Sequence, residues 1–127
     1  FAQKRNKVAT ENGFFAIIEE GGTYAFSSFS LTFTQKAGGI EIACTKNATK
    51  TVLFLQKLCF PFIVRSRQQG DMIRSKDGTM RSVSGILSAW KCGELKDSIP
   101  LIQELTTPTQ EIICLVGFPL GFSNWKV

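Results

Sequence analysis

The hydrophobic period of this chain changes once, near residue 83. Before that point apolar and polar residues alternate. Phe29, Leu31 and Phe33 alternate with Ser30, Thr32 and Thr34, and Ile40, Ile42 and Cys44 share one face of the next run. Period two belongs to half-buried strands. After it, Val83, Ile86, Leu87 and Trp90 fall at i, i+3, i+4 and i+7, which is one face of a helix. Ser82 suits the N-cap of that helix and Gly93 its C-terminal stop. The expected class is α+β: a mostly antiparallel sheet or partial barrel with one main helix. "ELKDS" over 94–98 offers a second, short helical turn.

Turn chemistry divides the rest. "GFFAIIEEGG" reads as a strand closed by the Gly21-Gly22 turn, and Gly38-Gly39 makes the next hairpin turn. "TVLFLQKLCFPFIV" is a longer apolar run. Pro61 cannot donate to a ladder, so it marks an edge, a bulge or a break between two strands. "IPLIQEL" and "EIICLVGF" read as two further strands joined by the loop 106–109. Gly85 lies inside the helix, where glycine costs about 1 kcal/mol against alanine. A close approach by another backbone would explain it. Residues 1–12 are polar and basic and are expected to form a poorly ordered lead-in, with 13–127 as a single domain. A chain of 127 residues is long enough to bury a sizeable core. Eleven Phe against one Tyr point to a dry interior.

Several chemistries lack their residues. The chain has no His, which removes the commonest general base and metal ligand. No phosphate-binding loop of the GxxxxGK[ST] or GxGxxG kind is present. Glu19 and Glu20 are adjacent, and adjacent strand residues point to opposite faces, so they make a poor acid–base pair. The expectation is a chain with no catalytic site, no metal and no cofactor of its own. Cys44, Cys59, Cys92 and Cys114 form no CxxC pair, which points to reduced, mostly buried thiols and a cytoplasmic setting. No apolar run reaches the length of a membrane span, so no membrane partner is expected. The chain begins with Phe rather than Met, and "FAQKRNKV" has no signal-peptide core, which suggests a product processed or cut from something longer.

The net charge of +5 favours an anionic partner. It is concentrated: seven basic residues (Arg65, Arg67, Arg74, Lys76, Arg81, Lys91 and Lys96) face three acidic ones (Asp71, Asp77 and Glu94) between 65 and 96. On a strand Arg65 and Arg67 would share a face, with Gly70-Asp71 turning the chain after them. Arg81 leads into the helix N-terminus, whose N–H groups suit a phosphate. Spacing alone favours an ordinary solvated face. Few aromatic residues accompany the stretch, which argues against stacking on single-stranded bases. Trp90 reads as core and Trp125 as a cap on the sheet. A winged-helix DNA-binding reading is disfavoured by the single convincing helix.

The order of features narrows the choice. Over about residues 58–125 the chain resembles the C-terminal domain of tRNA(Ile)-lysidine synthetase. The resemblance rests on Arg65, Arg67, Gly70, Asp71 and Ile73 in an R-x-R-x-x-G-D turn. It continues through Gly78, Arg81, Ser82, Val83, Leu87, Trp90, Pro100, Val116 and Gly117. There are departures. Ser84 and Gly85 stand where the family often has a basic residue. Lys96 stands where it often has Arg before the proline, keeping the charge but losing the planar fork. Residues 1–57 match no family motif. The resemblance implies a noncatalytic tRNA-binding domain of an enzyme that uses ATP to join lysine to the wobble cytidine of isoleucine tRNA, with Arg65, Arg67, Arg74, Lys76, Arg81, Lys91 and Lys96 expected to contact the tRNA backbone away from the anticodon. It implies ATP and magnesium in a separate catalytic N-terminal domain, whose Ser-Gly-Gly-x-Asp-Ser loop this chain lacks. Its partners would be isoleucine tRNA and that catalytic domain. The alternative is a protein-interaction or structural domain with a solvated basic face, which an exposed Phe patch would favour.

Overall fold

The computed structural model describes residues 9–10, 13–26, 29–46 and 49–126. The architecture is α+β, built from two sheets and one main helix. The smaller sheet is an antiparallel meander of β3 (Gly22–Ala25), β4 (Ser30–Lys36), β5 (Gly39–Lys46) and β6 (Thr49–Gln56). The alternation seen in sequence sets its register. Leu31, Phe33, Ile40 and Ile42 all turn inward and are buried. Gly38, at φ +86°, closes the two-residue β4–β5 hairpin.

The larger sheet has eight strands. They are β1 (Ala9–Thr10), β2 (Gly13–Ile18), β7 (Phe62–Arg65), β8 (Met72–Arg74), β9 (Met80–Ser82), β10 (Leu101–Glu104), β11 (Ile112–Leu115) and β12 (Trp125–Lys126). Their order is β1-β2-β7-β10-β11-β8-β9, with β12 added to β11. Most pairs are antiparallel; β8 and β11 run parallel through Ile73 and Ile112. All four residues of β7 are buried, as befits a strand flanked on both sides. Pro61 is the break between β6 and β7.

Two expectations need correction here. Gly21-Gly22 is not a hairpin turn. It carries the chain from β2 in the large sheet to β3 in the meander, and a Cβ on Gly21 would sit 2.9 Å from the Phe33 carbonyl oxygen. The lead-in is also shorter than expected, because Ala9 and Thr10 pair with Phe14 and Gly13. The rest of that lead-in lies outside the described residues.

The large sheet packs against the meander on one face and, over part of the other, against the helix. Phe14, Ile18, Phe62, Val64, Ile102 and Cys114 meet the meander in the main core. Phe33 from the meander meets Phe62 edge-to-face at 5.3 Å between ring centroids. On the other face Ile73, Leu101, Ile112 and Leu115 pack under α1 (Val83–Ala89). A bulge in β11 makes this possible. The register slips between Ile102 and Gln103, leaving Ile113 unpaired, so Ile112 faces the helix while Cys114 faces the meander. The helix covers only one end of this outer face. At the other end Phe15 and Ile17 on β2 remain 55% and 49% exposed.

The helix follows its sequence pattern at the start and departs from it at the end. Val83, Ile86 and Leu87 are buried, and Ser82 caps the N-terminus by accepting the Gly85 N–H. Trp90 is the C-cap. The stop is a Schellman motif: Lys91 N–H donates to the Ser88 carbonyl and Cys92 N–H to that of Leu87. The left-handed residue that stops the helix is therefore Lys91, at φ +61°; Gly93, left-handed too at φ +58°, lies beyond the stop. Gly93 begins a 3-10 turn, Gly93–Ser98, where "ELKDS" suggested one. Gly85 is exposed, and a Cβ there would meet nothing closer than the Ser82 side chain at 3.7 Å. Among the described residues no backbone approaches it, contrary to expectation. Cys44, Cys92 and Cys114 are buried, and Cys59 is exposed.

Candidate nucleic-acid interface

The basic residues of this stretch divide into those paired with a carboxylate and those in no described ion pair. Arg65 is the deepest. Its Nη1 and Nη2 donate to the two oxygens of Asp71 at 2.9 Å each, Nε donates to Gln103 Oε1 at 2.9 Å, and Nη1 also reaches the Ser66 carbonyl at 3.1 Å. Only 5% of the residue is exposed. The expectation that Arg65 contacts tRNA is therefore corrected: the side chain is buried and four of its five N–H donors are spent inside the protein. Asp71 also accepts the Gln68 N–H at 2.6 Å, and its carbonyl accepts the Val83 N–H at 3.1 Å. Gly70, at φ +89°, supplies the left-handed step between them. The R-x-R-x-x-G-D turn is thus a corner that locks the end of β7 to the start of α1. Burial pushes the Asp71 carboxyl up, but the Arg65 fork, the Gln68 N–H and the Arg67 charge outweigh it and hold it below its ordinary range.

Arg67 does not share a strand face with Arg65, because β7 ends at Arg65. It lies along α1 instead. Its Nε sits 3.2 Å from Asp97 Oδ1 as an ion pair without hydrogen-bond alignment, and Nη1 reaches Ser84 Oγ at 3.3 Å. Arg67, Ser84, Leu87, Ser88, Gly93 and Lys96 line a cleft of about 180 Å³. Arg74 forks onto Glu111, at 3.3 Å and 3.1 Å, with a third bond to the Gly78 carbonyl. This pairing holds Glu111 below the ordinary carboxylate range and raises Arg74.

Lys76, Arg81, Lys91 and Lys96 are in no ion pair among the described residues, and all four are exposed. Lys76 rides the turn 75–79. Asp77 braces that turn by accepting the hydroxyls of Ser75 and Thr79 and the Thr79 N–H, and these bonds lower its pKa strongly. Gly78 completes the turn at φ +90°. Arg81 lies over the indole of Trp125, its guanidinium carbon 5.3 Å from the ring centroid. Lys91 ends α1 and Lys96 lies on the 3-10 turn. The helix has only seven residues, and two N–H groups at its start are taken, Gly85's by the Ser82 hydroxyl and Val83's by the Asp71 carbonyl, so they are not free for a phosphate. That expectation is also corrected.

Trp90 packs on the helix-side core and against Gly117, where a Cβ would sit 2.0 Å from the Ser123 carbonyl oxygen. The Pro100 carbonyl accepts the Val116 N–H at 2.9 Å. Sequence reasoning missed the surroundings of Trp125. Trp125 does cap the sheet, pairing with Leu115, but with Ser75, Lys76, Asp77, Arg81 and Asn124 it also lines a cleft of about 490 Å³. Arg81 and Trp125 are 44 apart in sequence, and no local pattern joins them.

Among the described residues no group of His, Cys, Asp and Glu could hold a metal ion. No described helix is long and apolar enough to cross a membrane. No protein-family model, curated protein or solved structure matches this chain.

Proposed function

We propose that this chain is a noncatalytic, cytoplasmic tRNA-binding domain of an ATP-dependent ligase like tRNA(Ile)-lysidine synthetase. In that enzyme ATP and magnesium would serve a separate catalytic domain. The observation that carries the reading is the separation of roles within the basic stretch. Arg65 and Asp71 are consumed in building a rigid corner, while Lys76, Arg81, Lys91 and Lys96 stay exposed and in no ion pair among the described residues. A solvated face that only keeps a protein soluble has no need of a rigid support. Cations held on a braced turn, a strand end and a helix end suit the phosphates of folded RNA, which is read mainly by shape and backbone. Arg67 and Lys96, beside the hydroxyls of Ser84 and Ser88, make a second place for a phosphate.

Filter retention of isoleucine tRNA by this chain at low salt tests the reading. Retention that falls steeply as salt rises supports it. No retention at low salt overturns it.

A second reading has its own support. Phe15 and Ile17 form an exposed apolar patch at the uncovered end of the large sheet. Such a patch suits a protein contact, and the catalytic domain of the same polypeptide is the expected partner. The two readings use different residues and are compatible.

A further inference from the structure

We propose that the cleft between the turn 75–79 and β12 takes one unpaired RNA nucleotide, its base stacked on the Arg81–Trp125 pair and its phosphate on Lys76. The inference rests on the tRNA-binding reading and names what this part of the surface would read.

The cleft combines features that phosphate binding alone does not require. Its floor is a cation–π pair. Trp125 is held from below, paired with Leu115 and packed on the helix-side core, so the platform is rigid. Arg81 is exposed and covers the indole, which leaves the outer face of its guanidinium to stack on a base. The walls carry polar groups at fixed places. Asn124 Oδ1 accepts the N–H groups of Gly117 and Phe118 at 2.9 Å and 3.1 Å, which orients the amide and leaves its NH₂ end as a donor. The three bonds that brace Asp77 all fall on Oδ1. Oδ2 remains an acceptor suited to an exocyclic amine or a ribose 2′-hydroxyl. Lys76 and Arg81 against Asp77 leave one net positive charge, which matches one phosphodiester. A volume of about 490 Å³ falls within the small-ligand range of roughly 300–1,000 Å³. A base inside a duplex has both faces covered by its neighbours, so only an unpaired one can stack here.

Fluorescence anisotropy with a labelled single-stranded hexanucleotide, a blunt RNA duplex and isoleucine tRNA tests this, using the whole chain at low salt. Arg81→Lys is the informative variant, because it keeps the charge and removes the stacking plane. It is expected to weaken hexanucleotide binding about tenfold and duplex binding far less. Equal effects on hexanucleotide and duplex would overturn the proposal. Binding of tRNA without the hexanucleotide would overturn it and leave the tRNA reading standing. Binding of no RNA at all would remove the tRNA reading itself. Displacement of the hexanucleotide by AMP at the same concentration would assign the cleft to free nucleotides instead.

Discussion

Arg65 and Asp71 meet through two parallel N–H···O bonds of 2.9 Å, six residues apart in sequence and nearly sealed from water. Their side chains are only 6% and 11% exposed. The pair fixes where the outward-facing cations stand, because Asp71 is bonded in turn to the first residue of α1.

Removing one partner of a buried pair leaves the other unsatisfied. Arg65→Ala should therefore cost about 3 kcal/mol or more of stability. Asp71→Ala should behave similarly, and the double variant should lose less than the sum of the two. Urea denaturation of the three variants checks this. Equal and additive small losses would show that the fork contributes little.

The same pair predicts a pH dependence. The Asp71 carboxyl titrates below its unfolded value in the native state. Its contribution is fully present above the unfolded carboxylate pKa of about 4, and it is lost as pH falls through the lower native value. Asp71→Asn should thus differ most from the parent near neutral pH and converge with it in acid. Denaturation midpoints followed from neutral pH down to roughly pH 3 measure this.

Two glycines should respond in opposite directions. Gly85 is exposed within α1 with room for a methyl group, so Gly85→Ala should stabilise by about 0.5–1 kcal/mol. Gly117 is crowded by the Ser123 carbonyl and Trp90, so Gly117→Ala should cost about 2 kcal/mol or more. Thermal melts of the two variants distinguish them.

Lys91 occupies the left-handed position that ends α1. A lysine there is strained by roughly 1 kcal/mol relative to glycine. Lys91→Gly should raise the melting temperature by a few degrees. A lowered melting temperature would show that the lysine side chain contributes more than its backbone costs.

What the sequence revealed follows from the range of each interaction. The alternation through Leu31 and Phe33 and the helical face through Val83, Ile86 and Leu87 are local, and both appear as expected. Ser82 at the N-cap is local too. The step at Gly21-Gly22 was misread because a Gly-Gly turn looks the same whether it joins two paired strands or two sheets. The Arg65 pairing was only half legible. Asp71 lies within its motif, but Gln103 comes from β10, 38 residues on, and burial depends on that strand's position. The stop at Lys91 was hidden because glycine is the usual left-handed residue and one stands two positions later. The cleft at Trp125 was invisible for the same reason of distance.

The most direct measurement is the salt dependence of isoleucine tRNA binding by the parent chain and by a Lys76→Glu, Lys96→Glu variant. Both lysines are exposed and outside every ion pair described, so stability should change by about 0.5 kcal/mol or less. If they touch phosphates, the variant should bind at least about tenfold more weakly at low salt. The slope of log affinity against log salt should also fall by about two. Unchanged affinity and slope in a folded variant, or a parent chain that binds no tRNA at low salt, would contradict the tRNA-binding role.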